Sequence, residues 1–65
     1  MGSILLKTFL IQKAMRVFII AAELEQMAEG CSASEKSLAI VYRDCSSDLH
    51  DKALEMLKRA ASIED

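Results

Sequence analysis

The chain has 65 residues, of which 52% are hydrophobic, and its formal net charge is −2. This length allows one domain at most, and so short a chain hides only about 60% of the surface that its unfolded form exposes. Nucleic-acid-binding domains normally carry clustered Lys and Arg on a basic surface, so this acidic balance argues against a nucleic-acid partner. No stretch approaches the ~20 apolar residues that a membrane span requires, so none is expected.

Proline is absent and the only glycines are Gly2 and Gly30. Long stretches without these two residues favour helices over turn-rich β structure. We therefore predict a single all-α domain over residues 1–65. Its high apolar content predicts that the core is completed by self-association or by a larger parent protein.

The first segment is predicted to form one long helix over residues 4–29. Its polar side chains recur at helical spacing along one narrow stripe: Gln12, Arg16, Glu23 and Gln26. Most of its other residues are apolar, and a helix that is apolar around most of its circumference is covered on more than one side. We expect Phe9, Ile11, Phe18, Ile19 and Ile20 to mediate packing or self-association.

The connection after this helix centres on Gly30, which we expect to cap the helix in the left-handed conformation. The next helix has two candidate starts. Ser34 is a suitable N-cap residue, and Ser32 with Glu35 fits the capping-box pattern better.

The second half of the chain keeps apolar residues at steps of three and four: Leu38, Val41 or Tyr42, Cys45, Leu49, Ala53, Met56, Ala60 and Ile63. This unbroken phase favours one continuous helix and a two-helix hairpin. The Ser46-Ser47-Asp48 cluster favours a break, because Ser and Asp are poor in helix interiors and good N-caps. Helices over about 34–45 and 48–62 are the preferred interpretation, and the continuous helix is the alternative.

The two halves of the chain resemble each other. Gln12–Gln26 and Asp51–Asp65 lie 39 residues apart and share five identities in fifteen positions. Internal similarity at a spacing of 20 to 50 residues is typical of helical repeats, whose units bury their apolar faces on one another. The similarity therefore predicts a packing and interaction module.

Residues 38–44 and 52–60 resemble the two helices of a tetratricopeptide repeat of the kinesin-light-chain or soluble NSF-attachment-protein type. Ala53, Leu57 and Ala60 have the small–large–small order of that family, and Ala14, Phe18 and Ala21 repeat it. The 39-residue spacing exceeds the ~34 of that family. The resemblance implies a three-helix arrangement whose second helix presents a partner-binding groove: Lys36, Ile40, Arg43 and Asp44.

The stretch Leu49-His50-Asp51-x-Ala53 is similar to the second helix of the plasmid copy-number regulator Rop. That resemblance implies a helical hairpin that dimerises into a four-helix bundle. The RNA-binding face of that family needs polar and basic residues along the first helix, where this chain has mostly Ile, Leu and Phe. That family's function would therefore not carry over even if the fold did.

Candidate catalytic and metal-binding residues are few. Cys45 and His50 are five positions apart, do not share a helix face and have no third orienting group. Cys31, Cys45 and His50 lack the paired spacing of zinc ligands. We therefore expect no enzymatic activity, cofactor, metal or small-molecule substrate, with Cys45 buried and His50 at the surface.

The predicted function is a non-enzymatic protein–protein interaction or adaptor module that uses a helical face, with another protein or a second copy as partner. The alternative is a small homodimeric four-helix-bundle regulator, for which nucleic-acid contact stays open. Two free cysteines favour the cytoplasm. The basic, acid-free start of the chain, with Lys7, Lys13 and Arg16 before Glu23, keeps a mitochondrial location as the alternative.

Overall fold

The protein is an antiparallel hairpin of two long helices in the computed structural model, which describes residues 2–63. Helix α1 spans Gly2–Glu29, a single 3₁₀ turn spans Ala33–Glu35, and helix α2 spans Lys36–Ser62. No strand occurs within these residues, so the predicted all-α hairpin is confirmed. Met1, Glu64 and Asp65 of the predicted domain lie outside the described residues.

Helix α2 is continuous, so the preferred break near Cys45–Asp48 is wrong and the alternative is correct. The helix passes through Ser46, Ser47 and Asp48 without interruption. The hydroxyl of Ser46 is buried and donates a hydrogen bond of 2.7 Å to the carbonyl oxygen of Ala21 on α1. A serine hydroxyl disfavours a helix interior by competing for nearby backbone groups. Here a tertiary partner occupies that hydroxyl.

The two helices meet along a row of small residues that recurs every seven positions. In α1 these are Ala14, Ala21 and Ala28, and in α2 they are Ala39, Ser46, Ala53 and Ala60. Each exposes 8% or less of its surface. We call this row the seam. Larger half-buried side chains alternate with the seam at steps of three and four: Leu10, Val17 and Leu24 in α1, and Tyr42, Leu49 and Met56 in α2. This pattern is the 3.5-residue period of a coiled coil.

The register of the hairpin follows from two contacts. The Ser46 hydroxyl meets the Ala21 carbonyl, and the Phe18 and His50 rings pack edge-on with centroids 5.1 Å apart. Because the helices are antiparallel with equal rise, this register places Ala14 level with Ala53. Small residues opposite small residues let the helices approach closely. Two of the five identities between the halves, Ala14/Ala53 and Ala21/Ala60, are thus seam positions.

The buried face of α2 differs from the prediction in its first half. Leu49, Met56 and Ile63 are half-buried and Ala53 and Ala60 are buried, as expected. Nearer the loop, Ala39 and Ser46 are buried while Leu38 and Cys45 are exposed. The predicted burial of Cys45 is therefore wrong. The close contact between the helices selects the smallest side chains, and apolarity alone does not identify them.

The hairpin lacks a core of large side chains. Every apolar residue that is buried within residues 2–63 is an alanine, and no larger side chain is fully buried. The radius of gyration is 15.2 Å, against about 11 Å for a compact domain of this length. The accessible surface is 5026 Å², whereas a compact monomer of 7.2 kDa exposes about 4,100 Å². The excess of about 900 Å² is surface that the hairpin leaves uncovered.

The connection differs from the prediction at Gly30. No described glycine has a positive φ, so Gly30 is not a left-handed cap. Its N–H continues the helical pattern to the Gln26 carbonyl at 3.0 Å. A Cβ added at Gly30 would meet only the carbonyl oxygens of Gln26 and Met27, at 3.6 and 3.7 Å. These are ordinary van der Waals distances.

Gly30→Ala should therefore stabilise the hairpin by about 0.4–1 kcal/mol, because alanine restricts the unfolded chain and fits the folded one. Urea unfolding followed by circular dichroism measures the change. A loss of stability would show that Gly30 adopts a left-handed conformation in solution.

Ala21→Leu should destabilise the hairpin by at least ~1–3 kcal/mol, because the larger side chain forces the helices apart at the seam. Ala22→Leu is the matched control: Ala22 is the next residue on the same helix and is exposed, so its replacement should change stability by less than ~0.5 kcal/mol. Thermal unfolding of both variants checks the pair. Equal effects would contradict the seam.

Candidate functional site: two exposed faces of the hairpin

The hairpin presents two faces, one on each side of the seam. The first carries the contact between Phe18 and His50, and we call it the Phe18 face. The second carries the groove shared by Met27, Leu38 and Tyr42, and we call it the Met27 face. By heptad position the Phe18 face comprises Ile4, Ile11, Phe18 and Glu25 of α1 with Lys36, Arg43, His50 and Leu57 of α2. The Met27 face comprises Leu6, Lys13, Ile20 and Met27 of α1 with Leu38, Cys45, Lys52 and Arg59 of α2.

The Phe18 face is apolar at one end and charged at the other. Near the open end, where α1 begins and α2 ends, it carries Ile4, Ile11 and Leu57, with Met15 and Leu54 exposed at its margins. Near the loop, Glu25, Arg43 and His50 line one open groove of about 280 Å³ with Ser46 and Ser47. This end therefore carries both signs of charge.

The Met27 face is apolar near the loop, where Met27 and Leu38 are exposed beside Tyr42. Toward the open end it is mixed, because Lys13, Lys52 and Arg59 are exposed and so is Leu6. Alongside it on α1 runs a groove of about 410 Å³ lined by Phe9, Gln12, Lys13, Arg16, Val17 and Ile20. The Lys13 ammonium lies 5.7 Å from the centre of the Phe9 ring, within the range of a cation–π interaction.

The residues predicted to bind a partner share one side of α2. Lys36, Ile40, Arg43 and Asp44 are all exposed, and their spacing confines them to an arc of about 100° on the helix. Lys36 and Arg43 lie on the Phe18 face, and Ile40 and Asp44 lie farther from the seam. The structure brings Arg43 together with Glu25 and His50, two residues that the sequence did not identify as site residues.

The predicted packing residues of α1 do not form one surface. Ile11 and Phe18 belong to the Phe18 face, Ile20 to the Met27 face, and Phe9 and Ile19 lie farther from the seam. Only Phe18 is half-buried, whereas Ile11, Ile19 and Ile20 expose 37%, 58% and 47% of their surface. The single chain therefore does not cover α1 on several sides. Any further cover has to come from outside these two helices.

The seam was visible in the sequence as a small residue at every seventh position, from Ala14 to Ala28 and from Ala39 to Ala60. Sequence reasoning identified Ala14, Ala21, Ala53 and Ala60 through the repeat, and missed Ala28, Ala39 and Ser46. A test for a seven-residue spacing of small side chains would have found them.

The cysteines and the histidine do not converge on a reactive site. Cys31 and Cys45 are both free thiols. The Cys31 thiol donates to the carbonyl of Met27 at 3.3 Å, while the exposed Cys45 belongs to the Met27 face and His50 to the Phe18 face. No group of three His, Cys, Asp or Glu side chains within the described residues could hold a metal ion.

Comparisons of the chain with models of known protein families, with curated proteins and with solved structures found no match. In the described part of the chain, neither helix has the length and apolarity that a membrane crossing requires.

The loop is held by a hydrogen-bonded pair, Ser32 and Glu35. Both the backbone N–H and the hydroxyl of Ser32 donate to Oε1 of Glu35, at 3.0 and 2.8 Å. These bonds favour the ionised carboxylate, the backbone bond most, and they lower the pKa of Glu35 below its ordinary value of 4.5. The predicted pair of Ser32 and Glu35 is present, but it caps the 3₁₀ turn. Helix α2 has Glu35 as its own N-cap residue, so neither Ser32 nor Ser34 caps it.

The Glu35 interaction should contribute stability that is fully present above pH 4.5 and is lost as pH falls through the lowered pKa. Glu35→Gln keeps an acceptor for Ser32 but cannot titrate, so the stability difference between wild type and this variant should shrink on acidification. Urea unfolding at a series of pH values measures the difference. A difference that stays constant from neutral pH to below pH 4 would contradict the assignment.

Proposed function

We propose that this protein is a non-enzymatic protein–protein interaction module in which a face of the hairpin is covered by helices of another molecule. The observation that carries this proposal is the distribution of side chains by size. The buried residues are alanines and one serine, while thirteen large apolar side chains within the described residues expose 37% to 75% of their surface.

The energetics support this proposal. A buried methylene-sized group stabilises a fold by about 0.8 kcal/mol, whereas a fully buried Leu, Ile or Phe side chain contributes about 1.5–3 kcal/mol. The hairpin buries mainly alanine methyl groups and leaves many large apolar side chains exposed to water. Covering one face would bury several large side chains at once, so binding and folding would be strongly coupled.

Two kinds of partner fit this proposal. The tetratricopeptide resemblance favours a different protein, bound near Arg43 and its neighbours on α2. The Rop resemblance favours a second copy of the chain and a four-helix bundle. The continuous helix α2 supports the second, because a two-helix hairpin is the unit from which such bundles are built.

The purified chain should reveal its uncovered surface. We expect either a melting temperature that rises over a roughly thousandfold increase in concentration, or a weakly cooperative monomer that binds the dye ANS. A melting temperature that rises with concentration would follow from self-association. A weakly cooperative monomer that binds ANS would follow if the partner is a different protein, which is missing from the purified sample. Sedimentation, circular dichroism and dye fluorescence distinguish them. A cooperative, concentration-independent monomer that binds no dye would contradict the proposed function.

A further inference from the structure

The Phe18 face has the pattern of a self-complementary interface. The register of the hairpin places Ile11 level with Leu57, Phe18 level with His50, and Glu25 level with Arg43. The contact between the Phe18 and His50 rings, and the groove that Glu25 shares with Arg43, directly support two of these three pairs. The face is thus a series of layers, and within each layer α1 and α2 contribute different side chains.

The charges on this face are divided between the two helices. Near the loop, the α1 side carries Glu25, with Glu29 exposed beyond it, and the α2 side carries Lys36 and Arg43. One edge of the face is therefore acidic and the other edge is basic. A surface of this kind is complementary to itself only in an arrangement that sets α1 of one copy against α2 of the next.

We infer that the Phe18 face binds a second copy of this chain about a two-fold axis that runs along the hairpin, so that both loops lie at the same end of a four-helix bundle. This inference rests on the proposed function and specifies the partner, the face and the orientation. Rotation about that axis keeps every residue at the same height along the bundle. It places α1 of one copy against α2 of the partner copy. Glu25 then meets Arg43, Phe18 meets His50, and Ile11 meets Leu57, each across the interface.

The opposite orientation fits less well. An axis perpendicular to the helices would place the loop of one copy at the open end of the other. Arg43 would then lie near Leu57, and Glu25 near Ile11 or Ile4. Burying a charge against apolar side chains without a partner is costly. The charge pattern therefore selects the orientation with both loops together.

The Met27 face does not offer the same fit. Its open end carries Lys13, Lys52 and Arg59, so two copies with their loops together would bring like charges into contact. The nearest carboxylates on α2, Asp48 and Glu55, lie farther from the seam. Like charges facing each other across an interface disfavour association. At the positions that define the two faces, only the Phe18 face carries an acidic residue, Glu25, level with a basic one, Arg43.

The exposed area agrees with a dimer. The hairpin exposes 5026 Å², about 900 Å² more than a compact monomer of its mass. A stable protein–protein interface buries about 800 Å² on each partner. Covering one face would therefore bury about as much surface as the single hairpin exposes beyond a compact monomer.

Charge reversal tests the pairing. Glu25→Arg gives a face with cations at both positions, and Arg43→Glu gives a face with anions at both. Each variant alone should dimerise at least about tenfold more weakly than the wild type in sedimentation equilibrium. An equimolar mixture should recover dimerisation as a heterodimer, because every charge then meets its opposite across the interface. The repulsion within each chain is unchanged by mixing, so recovery reports contacts between copies. Circular dichroism of each variant and of the mixture records whether helicity recovers with the dimer.

Lys13→Glu is the matched control, since it reverses an exposed charge on the Met27 face and should leave the dimer unchanged. A mixture that dimerises no better than its components would overturn the inference. So would a control that weakens the dimer as much as the Phe18-face variants do.

The distance between the two loops tests the orientation independently. A spin label at Ser34→Cys, in a chain that also carries Cys31→Ser and Cys45→Ser, should give a distance below about 30 Å in the dimer, because neighbouring helices are only about 8–10 Å apart. A distance near the 53 Å length of the hairpin would overturn the orientation and leave the interaction module standing.

The wild-type chain separates failure of this inference from failure of the proposed function. A monomer that binds ANS at every concentration would overturn the second copy as partner and still support a different protein partner. A cooperative monomer that binds no dye would overturn both.

Discussion

The close contact between two helices along a row of small side chains governs the rest of this structure. Alanine or serine at every seventh position lets the backbones approach, and the buried Ser46 hydroxyl bonds directly to the Ala21 carbonyl across the contact. Such an approach leaves no room in the seam for leucine or phenylalanine. The hairpin is therefore stabilised by the close contact of the two backbones and by half-buried side chains beside the seam, and no large side chain within residues 2–63 is fully buried.

This constraint determines what the surface looks like. Large apolar side chains that would fill the core of an ordinary small domain are displaced onto the flanks, where they are exposed. They are not spread evenly. On the Phe18 face they lie near the open end. On the Met27 face they run along α1 from Leu6 to Met27, interrupted by Lys13, and on α2 they are limited to Leu38 near the loop.

The distribution of charge gives the two faces different capacities. The Phe18 face has acidic residues on one helix and basic residues on the other, and a dimer that sets unlike helices together pairs them. The Met27 face has cations on both helices near its open end, together with a basic groove along α1 that includes Phe9. The same apolar excess thus lies on two surfaces, of which the Phe18 face is the one that we propose binds a second copy.

Much of the fold followed from the sequence. The absence of proline and the spacing of apolar residues predicted long helices, and residues 4–29 proved close to the observed Gly2–Glu29. The similarity between the two halves correctly marked Ala14, Ala21, Ala53 and Ala60 as packing positions. Ser32 and Glu35 were recognisable as a capping pair, because that motif depends on local spacing alone.

Features that depend on contact between the helices were not predictable in this way. Local propensity favoured a break at Ser46-Ser47-Asp48, but α2 is continuous there and the Ser46 hydroxyl donates a hydrogen bond to the Ala21 carbonyl of the opposite helix. Apolarity favoured Cys45 as a buried residue, but the closeness of the backbones selects its smaller neighbour. Gly30 was expected to cap α1 in the left-handed conformation, but no described glycine has a positive φ.

The sequence by itself determined that the chain is helical and that a long first helix is followed by a short loop, because periodicity and capping act within a few residues. Only the tertiary structure decided which side chains meet, because that depends on how close the backbones come and in what register. The register placed Glu25 beside Arg43 and Phe18 beside His50, pairs separated by 18 and 32 residues. No local pattern relates residues so far apart in the chain.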